Sequence, residues 1–200
     1  MKKYCLLFLL LSLSACSKRI EIPAEDVTRT IESKDITISS HDIFPSSADV
    51  DSFVKNSVGL CIDQDNAFGC QCVDLMHLYI DKVLGVPRSA HNIRGNAFPI
   101  YRSFPASKTI SAGSRVIRLE KIPYKPSNTP LKGDIIFYSH SDGIGHVGIY
   151  LEGDANRFTG LDQNWINSDL LKGSPTAVAQ HSYTGNYQVV GWLRPVLVSN

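Results

Sequence analysis

Apolar positions change their spacing along this chain, and each change marks a different kind of element. After Lys2 and Lys3 comes an apolar run from Tyr4 to Leu13, then the small residues Ser14 and Ala15, then Cys16. From Ser17 to about Asp49 the pattern is polar, with isolated isoleucines; Ile36 and Ile38 alternate with Thr37 as one short strand would. Val50, Phe53, Val54 and Val58 then recur at helical spacing, and Gly59 is a natural stop. A second helix is predicted from Cys72 to Leu84: Val73, Met76, Tyr79, Ile80 and Val83 share one face, and Gly85 and Pro87 end it. Ser89 to Pro130 holds five of the ten prolines and predicts loop with a short helix or two. Beyond Leu131 the period becomes two. Asp134–Tyr138, His146–Leu151, Arg157–Asp162 and Gln188–Val198 read as strands between glycine-containing turns. Helices first and an antiparallel β-sheet second predict an α+β domain spanning 50–200.

The apolar run at the N-terminus has the build of a secretory signal: positive start, short greasy centre, small exit residues. It is about half the roughly 20 residues that a membrane-spanning helix needs. Leu13-Ser14-Ala15-Cys16 resembles the bacterial lipoprotein box, which implies a signal peptide of residues 1–15 and a lipidated Cys16. The alternative is a plain signal peptide cut nearby, with Cys16 a spare thiol. Residues 16–49 then read as a polar tether, with a packed N-terminal extension as the alternative. The expected location is exported and lipid-anchored, on the outer membrane facing the periplasm in a Gram-negative host and otherwise on the cell surface. Ser17, rather than aspartate, follows the cysteine. Cys5 leaves with the signal.

Charge narrows the partners. The 20 Lys+Arg face 19 Asp+Glu, and loss of Lys2 and Lys3 leaves 18 against 19. A balance so near zero gives no field to hold a polyanion, so nucleic acid is not an expected partner. At 200 residues with 43% hydrophobic content, the chain can bury one ordinary core. Five cysteines are too few for a disulfide-built scaffold.

Candidate chemistry lies in three stretches. In Gln71-Cys72-Val73-Asp74-Leu75, Cys72 sits where the second helix starts, and a helix N-terminus stabilises an anion, which favours a nucleophilic thiolate. In Gly145-His146-Val147-Gly148-Ile149-Tyr150, strand alternation puts His146, Gly148 and Tyr150 on one face and Val147, Ile149 and Leu151 on the core side. The glycines beside His146 would leave room for a substrate backbone. In Leu161-Asp162-Gln163-Asn164-Trp165, a hairpin with the histidine strand would let Asp162 or Asn164 meet the far nitrogen of His146 and steady the imidazolium.

Their order and local sequence resemble the CHAP family, the cysteine- and histidine-dependent amidohydrolase/peptidases of papain-like fold. The resemblance rests on Gln71-Cys72-Val73-Asp74-Leu75, Gly133-Asp134-Ile135-Ile136-Phe137, Gly145-His146-Val147-Gly148-Ile149 and Asp162-Gln163-Asn164-Trp165, and it extends from about Val50 to Arg194. Asp162 stands where phage endolysin members carry glutamate, one methylene longer. The resemblance implies a catalytic set of Cys72, His146 and Asp162, with Asn164 as a substitute orienting group and Gln71 at the oxyanion. It also implies peptidoglycan as substrate, cut by an N-acetylmuramoyl-L-alanine amidase or a peptide endopeptidase through a thioester. A monomer needing no cofactor for its chemistry is expected. A catalytically silent cell-wall-binding lipoprotein keeping the same groove is the alternative from another class.

Asp63, Asp65, the Ala67 carbonyl and Asp74 are hard oxygen donors spaced as calcium prefers, and some CHAP endolysins bind calcium through a loop that this one resembles. A structural calcium and a solvated acidic turn are the two readings. Cys61 and Cys70 bracket this loop and would bridge in an oxidising compartment, leaving Cys72 free. Zinc on Cys61, Cys70, Cys72 and His77 competes for the same thiols, at a spacing that fits no common pattern. His140 reads as exposed in a hairpin loop, His77 as a core residue of the second helix, and His41, His91 and His181 as loop residues. Trp165 and Tyr138 would line a substrate groove or simply pack.

Overall fold

The computed structural model describes residues 44–199. The expected signal sequence, Cys16, the strand expected at Ile36–Ile38 and all of the expected tether before Phe44 lie outside the described residues. In chain order come α1 (Ser47–Ser57), α2 (Cys72–Lys82), α3 (Arg88–His91), α4 (Ala97–Ser103), β1 (Ser107–Ala112), β2 (Arg115–Pro123), β3 (Ile135–Ser139), β4 (His146–Gly153), β5 (Arg157–Asp162), β6 (Ala177–Ser182) and β7 (Gln188–Ser199). The strands form one antiparallel sheet in the order β1-β2-β7-β3-β4-β5-β6. The α+β arrangement is thus helices followed by a seven-stranded antiparallel sheet.

α1 begins earlier than the apolar spacing suggested, because Ser46 caps it by accepting the Asp49 N–H. α2 starts at Cys72 because Gln71 is extended and Asp74, three residues on, accepts the Gln71 backbone N–H at 3.2 Å. Its buried face is Leu75, Met76, Tyr79 and Ile80, with Val73 only partly covered. Tyr79 donates its hydroxyl to the Gly133 carbonyl at 2.8 Å, tying α2 to the approach to β3.

Both faces of the central sheet are buried. Ile135, Phe137, Val147, Ile149, Leu161 and Leu193 pack with α2 and α4 in the main core. Ile136, Tyr138, Tyr150, Phe158, Val189 and Trp192 form a second, aromatic core on the other face. Full burial of side chains this large contributes about 1.5–3 kcal/mol each.

Two stretches depart from the pattern reading. The region expected to be loop between Ser89 and Pro130 contains α3 and α4, and also the β1–β2 hairpin, paired from Ser107↔Glu120 to Ala112↔Arg115. β2 buries only Ile117 and Leu119 among four charged residues, and β1 lies at the sheet edge with Ile110 alone buried, so the surrounding prolines hid a weak alternation. β6 was not anticipated, since its inward residues are Ala179 and His181 rather than large apolar ones.

Candidate active site

Cys72 is the one free cysteine among the described residues, partly exposed at the first position of α2. Its thiol lies close enough to the ring of His146, the first residue of β4, for the two to interact electrostatically. The Nε2 of that ring is taken by Asp162 Oδ1 at 2.9 Å, which leaves Nδ1 for the sulfur. Asp162, last in β5, is fully buried, and its other oxygen, Oδ2, lies 2.7 Å from His181 Nε2. Sulfur, ring, carboxylate and a second ring therefore make one chain of contacts from α2 through β4 and β5 to β6.

The electrostatics follow from those contacts. Burial by itself would strip the proton from His146. The negative charge on Cys72 and hydrogen bonds to Asp162 and Cys72 outweigh it, and the ring is pushed up to about 9. For Asp162, burial favours the neutral acid, but hydrogen bonds from His146 and His181 hold the carboxyl below its usual range. The pair is built as imidazolium and carboxylate.

Glycine makes this reach possible. A Cβ at Gly148 would collide with Asp162 Oδ1, and one at Gly160 would stand 3.0 Å from Asp162 Oδ2 and 3.3 Å from His181 Nε2. The space beside His146 is thus filled by the carboxylate, which corrects the expectation that Gly148 clears a path for substrate. Trp165, partly buried, covers the group: its ring centroid lies 4.8 Å from that of His146 and 4.7 Å from that of His181.

Asn164 does not touch the His146 ring. Its Nδ2 donates to Gln71 Oε1 at 2.8 Å and to the Asp169 carbonyl at 3.0 Å, so it orients Gln71 and anchors the 164–174 loop. Gln71 Nε2 spends one N–H on the Phe68 carbonyl, which leaves its second N–H to spare. Gln163, quoted above only as part of a motif, is fully buried with four contacts. Its Oε1 accepts from Ile62 N–H and Thr176 Oγ1, while its Nε2 donates to the carbonyls of Ile62 and Gln71. This side chain staples the chain before Cys72 to the end of β5.

Cys61 and Cys70 are disulfide-bonded with their Cα atoms 5.1 Å apart, which rules out the zinc set that would have used both thiols. Closing a loop this short stabilises the fold by about 3 kcal/mol through the unfolded chain. Within it, Asp63, Asp65 and Asp74 offer carboxylate oxygens within 4.8 Å of one another. Asp74 is raised to about 6, chiefly by burial and then by Asp65 and Asp63, despite backbone N–H donors from Gln64 and Gln71. Asp65 also pairs with Arg88 at 3.0 Å. An all-oxygen, all-anionic donor set fits a hard divalent cation, although Arg88 already neutralises part of it.

A mostly apolar cavity of about 460 Å³ opens beside Cys72, lined among others by Phe68, His77, Arg88, Asn96 and Leu171. His91 and His181 depart from the loop reading, whereas His77 is the core residue of α2 that was expected. His91 ends α3 fully buried and stacks on His77, and His181 is a buried strand residue. His140 is half-buried, stacking on Tyr187 at 4.3 Å. His181 was missed because a histidine flanked by Gln180 and Ser182 shows no apolar strand period, and only the pairing of β6 with β5 places it opposite Phe158.

No family model matches the chain. Its sequence is similar to endolysin PlyTW of Staphylococcus phage Twort (strain DSM 17442 / HER 48), 27% identical over 154 residues, which are 72% of this chain and 29% of that protein. Its structure is similar to the crystal structure of a wild type endolysin, LysIME-EF1, with a TM-score of 0.58 and 29% sequence identity over 74% of this chain and 63% of that one. The chain thus spans less than a third of the length of the curated relative.

Proposed function

We propose that this chain is a peptidoglycan hydrolase of the CHAP type and papain-like fold, which cleaves an amide bond with Cys72, His146 and Asp162. The observation that carries the reading is the contact series sulfur–imidazole–carboxylate, with the ring raised to about 9 beside the thiol. The likeness to two endolysins supports the substrate class.

In the proposed reaction Cys72 passes its proton to His146 Nδ1 and its sulfur attacks the carbonyl carbon. The carbonyl π electrons move to oxygen, and the oxyanion is held by free backbone N–H groups at the start of α2 and the spare N–H of Gln71. Collapse breaks the C–N bond while His146 returns the proton to the leaving amine, giving a thioester. Water then loses a proton to His146 and attacks the thioester, and the same proton reprotonates the departing sulfur. Asp162 keeps the ring oriented and charged between steps. Calcium at Asp63, Asp65 and Asp74 would order the loop before Cys72 and add no chemistry; chelation that left melting temperature unchanged would remove it from the account. The leader and Cys16 would place the enzyme in the envelope, tethered by lipid, where its substrate lies.

Digestion of purified sacculi followed by mass spectrometry of the soluble fragments tests the reading. The wild type is expected to release fragments and Cys72→Ala none. A new amine on the first alanine would identify an amidase, and one within the stem an endopeptidase. Wall binding without release by the wild type would overturn the hydrolase and leave a silent binder.

A further inference from the structure

Asp162 serves two histidines, and only one of them is needed by the reaction above. The second, His181, lies opposite Phe158 in the β5–β6 pairing, with Gly160 and Ala179 on the rung between it and the rung of Asp162 and Ala177. Its ring crosses that gap because Gly160 carries no side chain. Its side chain is 1% exposed and that of Asp162 is 0% exposed, so water does not supply the hydrogen bond that His181 makes. Phe158 stacks on the His181 ring at 5.1 Å, and Trp165 and Tyr138 pack at 4.7 and 5.3 Å. The rotamer is held on three sides by aromatic rings.

We propose that His181 is a positioning residue for the hydrolysis: by donating Nε2–H to Asp162 Oδ2 it fixes the plane of the carboxylate and reserves Oδ1 for His146. The inference rests on the hydrolase reading for its effect on turnover, but its geometry stands without it. An ionised carboxylate with one oxygen buried and unpartnered is costly, and it relieves that cost by rotating or by leaning harder on its remaining donor, His146. Either response disturbs the oxygen that orients His146. The donor on Oδ2 also draws charge away from Oδ1, so it tempers how tightly the carboxylate holds the imidazolium proton. The titratable groups around Asp162 and its two rings are Cys72 from α2, Tyr138 from β3, and Tyr183 and Tyr187 beyond β6. The two hydrogen-bond donors recorded on the Asp162 carboxylate are His146 and His181.

The test uses the intact chain with labelled histidines. In the wild type, nitrogen shifts of His181 are expected to show Nε2 protonated; a ring protonated on Nδ1 alone would overturn the hydrogen bond and the proposal. His181→Phe keeps the aromatic stack and removes the donor, whereas His181→Gln keeps an N–H near the Nε2 position. The Phe variant is expected to raise the His146 titration midpoint by about one unit and to lower kcat about tenfold with KM unchanged, and the Gln variant to recover most of both. A His146 midpoint identical in all three proteins would overturn the proposal even if the Phe variant were less stable. The ring titration needs no substrate, so failure of the hydrolase reading (no turnover by the wild type) is distinguishable from failure of this one.

Discussion

This protein buries two pairs of histidines and treats them in opposite ways. His77 and His91 stack face to face, ring centroids 5.1 Å apart, with His77 Nδ1 and His91 Nε2 lacking partners. Burial, followed by Arg88 and the neighbouring ring, drives His77 down to about 3; burial, followed by Lys108 and Arg88, drives His91 down to about 4. His146 and His181 are equally buried, yet they share Asp162, and His146 rises to about 9. Burial pushes in the same direction at His77, His91 and His146. A carboxylate and a thiol reverse the outcome at His146, and nearby cations reinforce it at His77 and His91. A histidine's neighbours, rather than its depth, decide whether it can carry a proton for chemistry.

Replacing Asp162 with asparagine removes the carboxylate that sets His146 apart from the neutral pair, and this change should have the largest effect. The His146 midpoint is expected to fall, and kcat/KM for wall digestion to drop about a hundredfold or more, since proton transfer loses its oriented ring. Steady-state rates beside a ring titration check both. Retention of full activity would show that the pair does not depend on the carboxylate.

Gly148→Ala should act more gently on the same contact, because the added methyl meets Asp162 Oδ1 without removing it. The expected loss is roughly tenfold in kcat, with Cys72 still present and the melting temperature lowered slightly. An unchanged kcat would mean that the carboxylate shifts freely.

The neutral pair should leave its mark on stability alone. His77 and His91 have folded pKa values below the unfolded value, so the unfolded chain takes up protons that the folded one refuses. Their contribution is intact above about pH 6.5 and is lost as pH falls from there toward 4 and 3. Asp74, raised to about 6, works the other way between 6 and 3.8 and offsets part of the slope. His77→Phe is expected to flatten the decline in melting temperature between pH 6.5 and 4 while activity at neutral pH changes little. A decline as steep as the wild type's would contradict the neutral assignment.

These pairs also mark how far residue order can be read. Cys72 at the start of α2, the alternation of His146 to Tyr150, and Asp162 closing the next strand are local patterns, and period and spacing expose them. His181 is not local: it matters only because β6 pairs with β5 and Gly160 opens a gap, neither of which leaves a periodic trace. Gly148 shows the same limit from the other side, since a glycine signals empty space without saying what fills it. Gln163 and Asn164 are adjacent in the chain, and only the turn after β5 sends Asn164 to the Gln71 side chain and Gln163 to Ile62 and the Gln71 carbonyl. The β1–β2 hairpin stayed hidden because its few inward residues lie between prolines and charges.

The most direct probe of the account is the rate at which iodoacetamide alkylates Cys72 at pH 7 in the wild type and in folded His146→Ala. The account requires prompt alkylation of the wild type and a fall of about tenfold or more without the ring, because the imidazole accepts the thiol's proton. Equal rates in the two proteins would contradict it, and would leave Cys72 as a thiol that merely lies near a histidine.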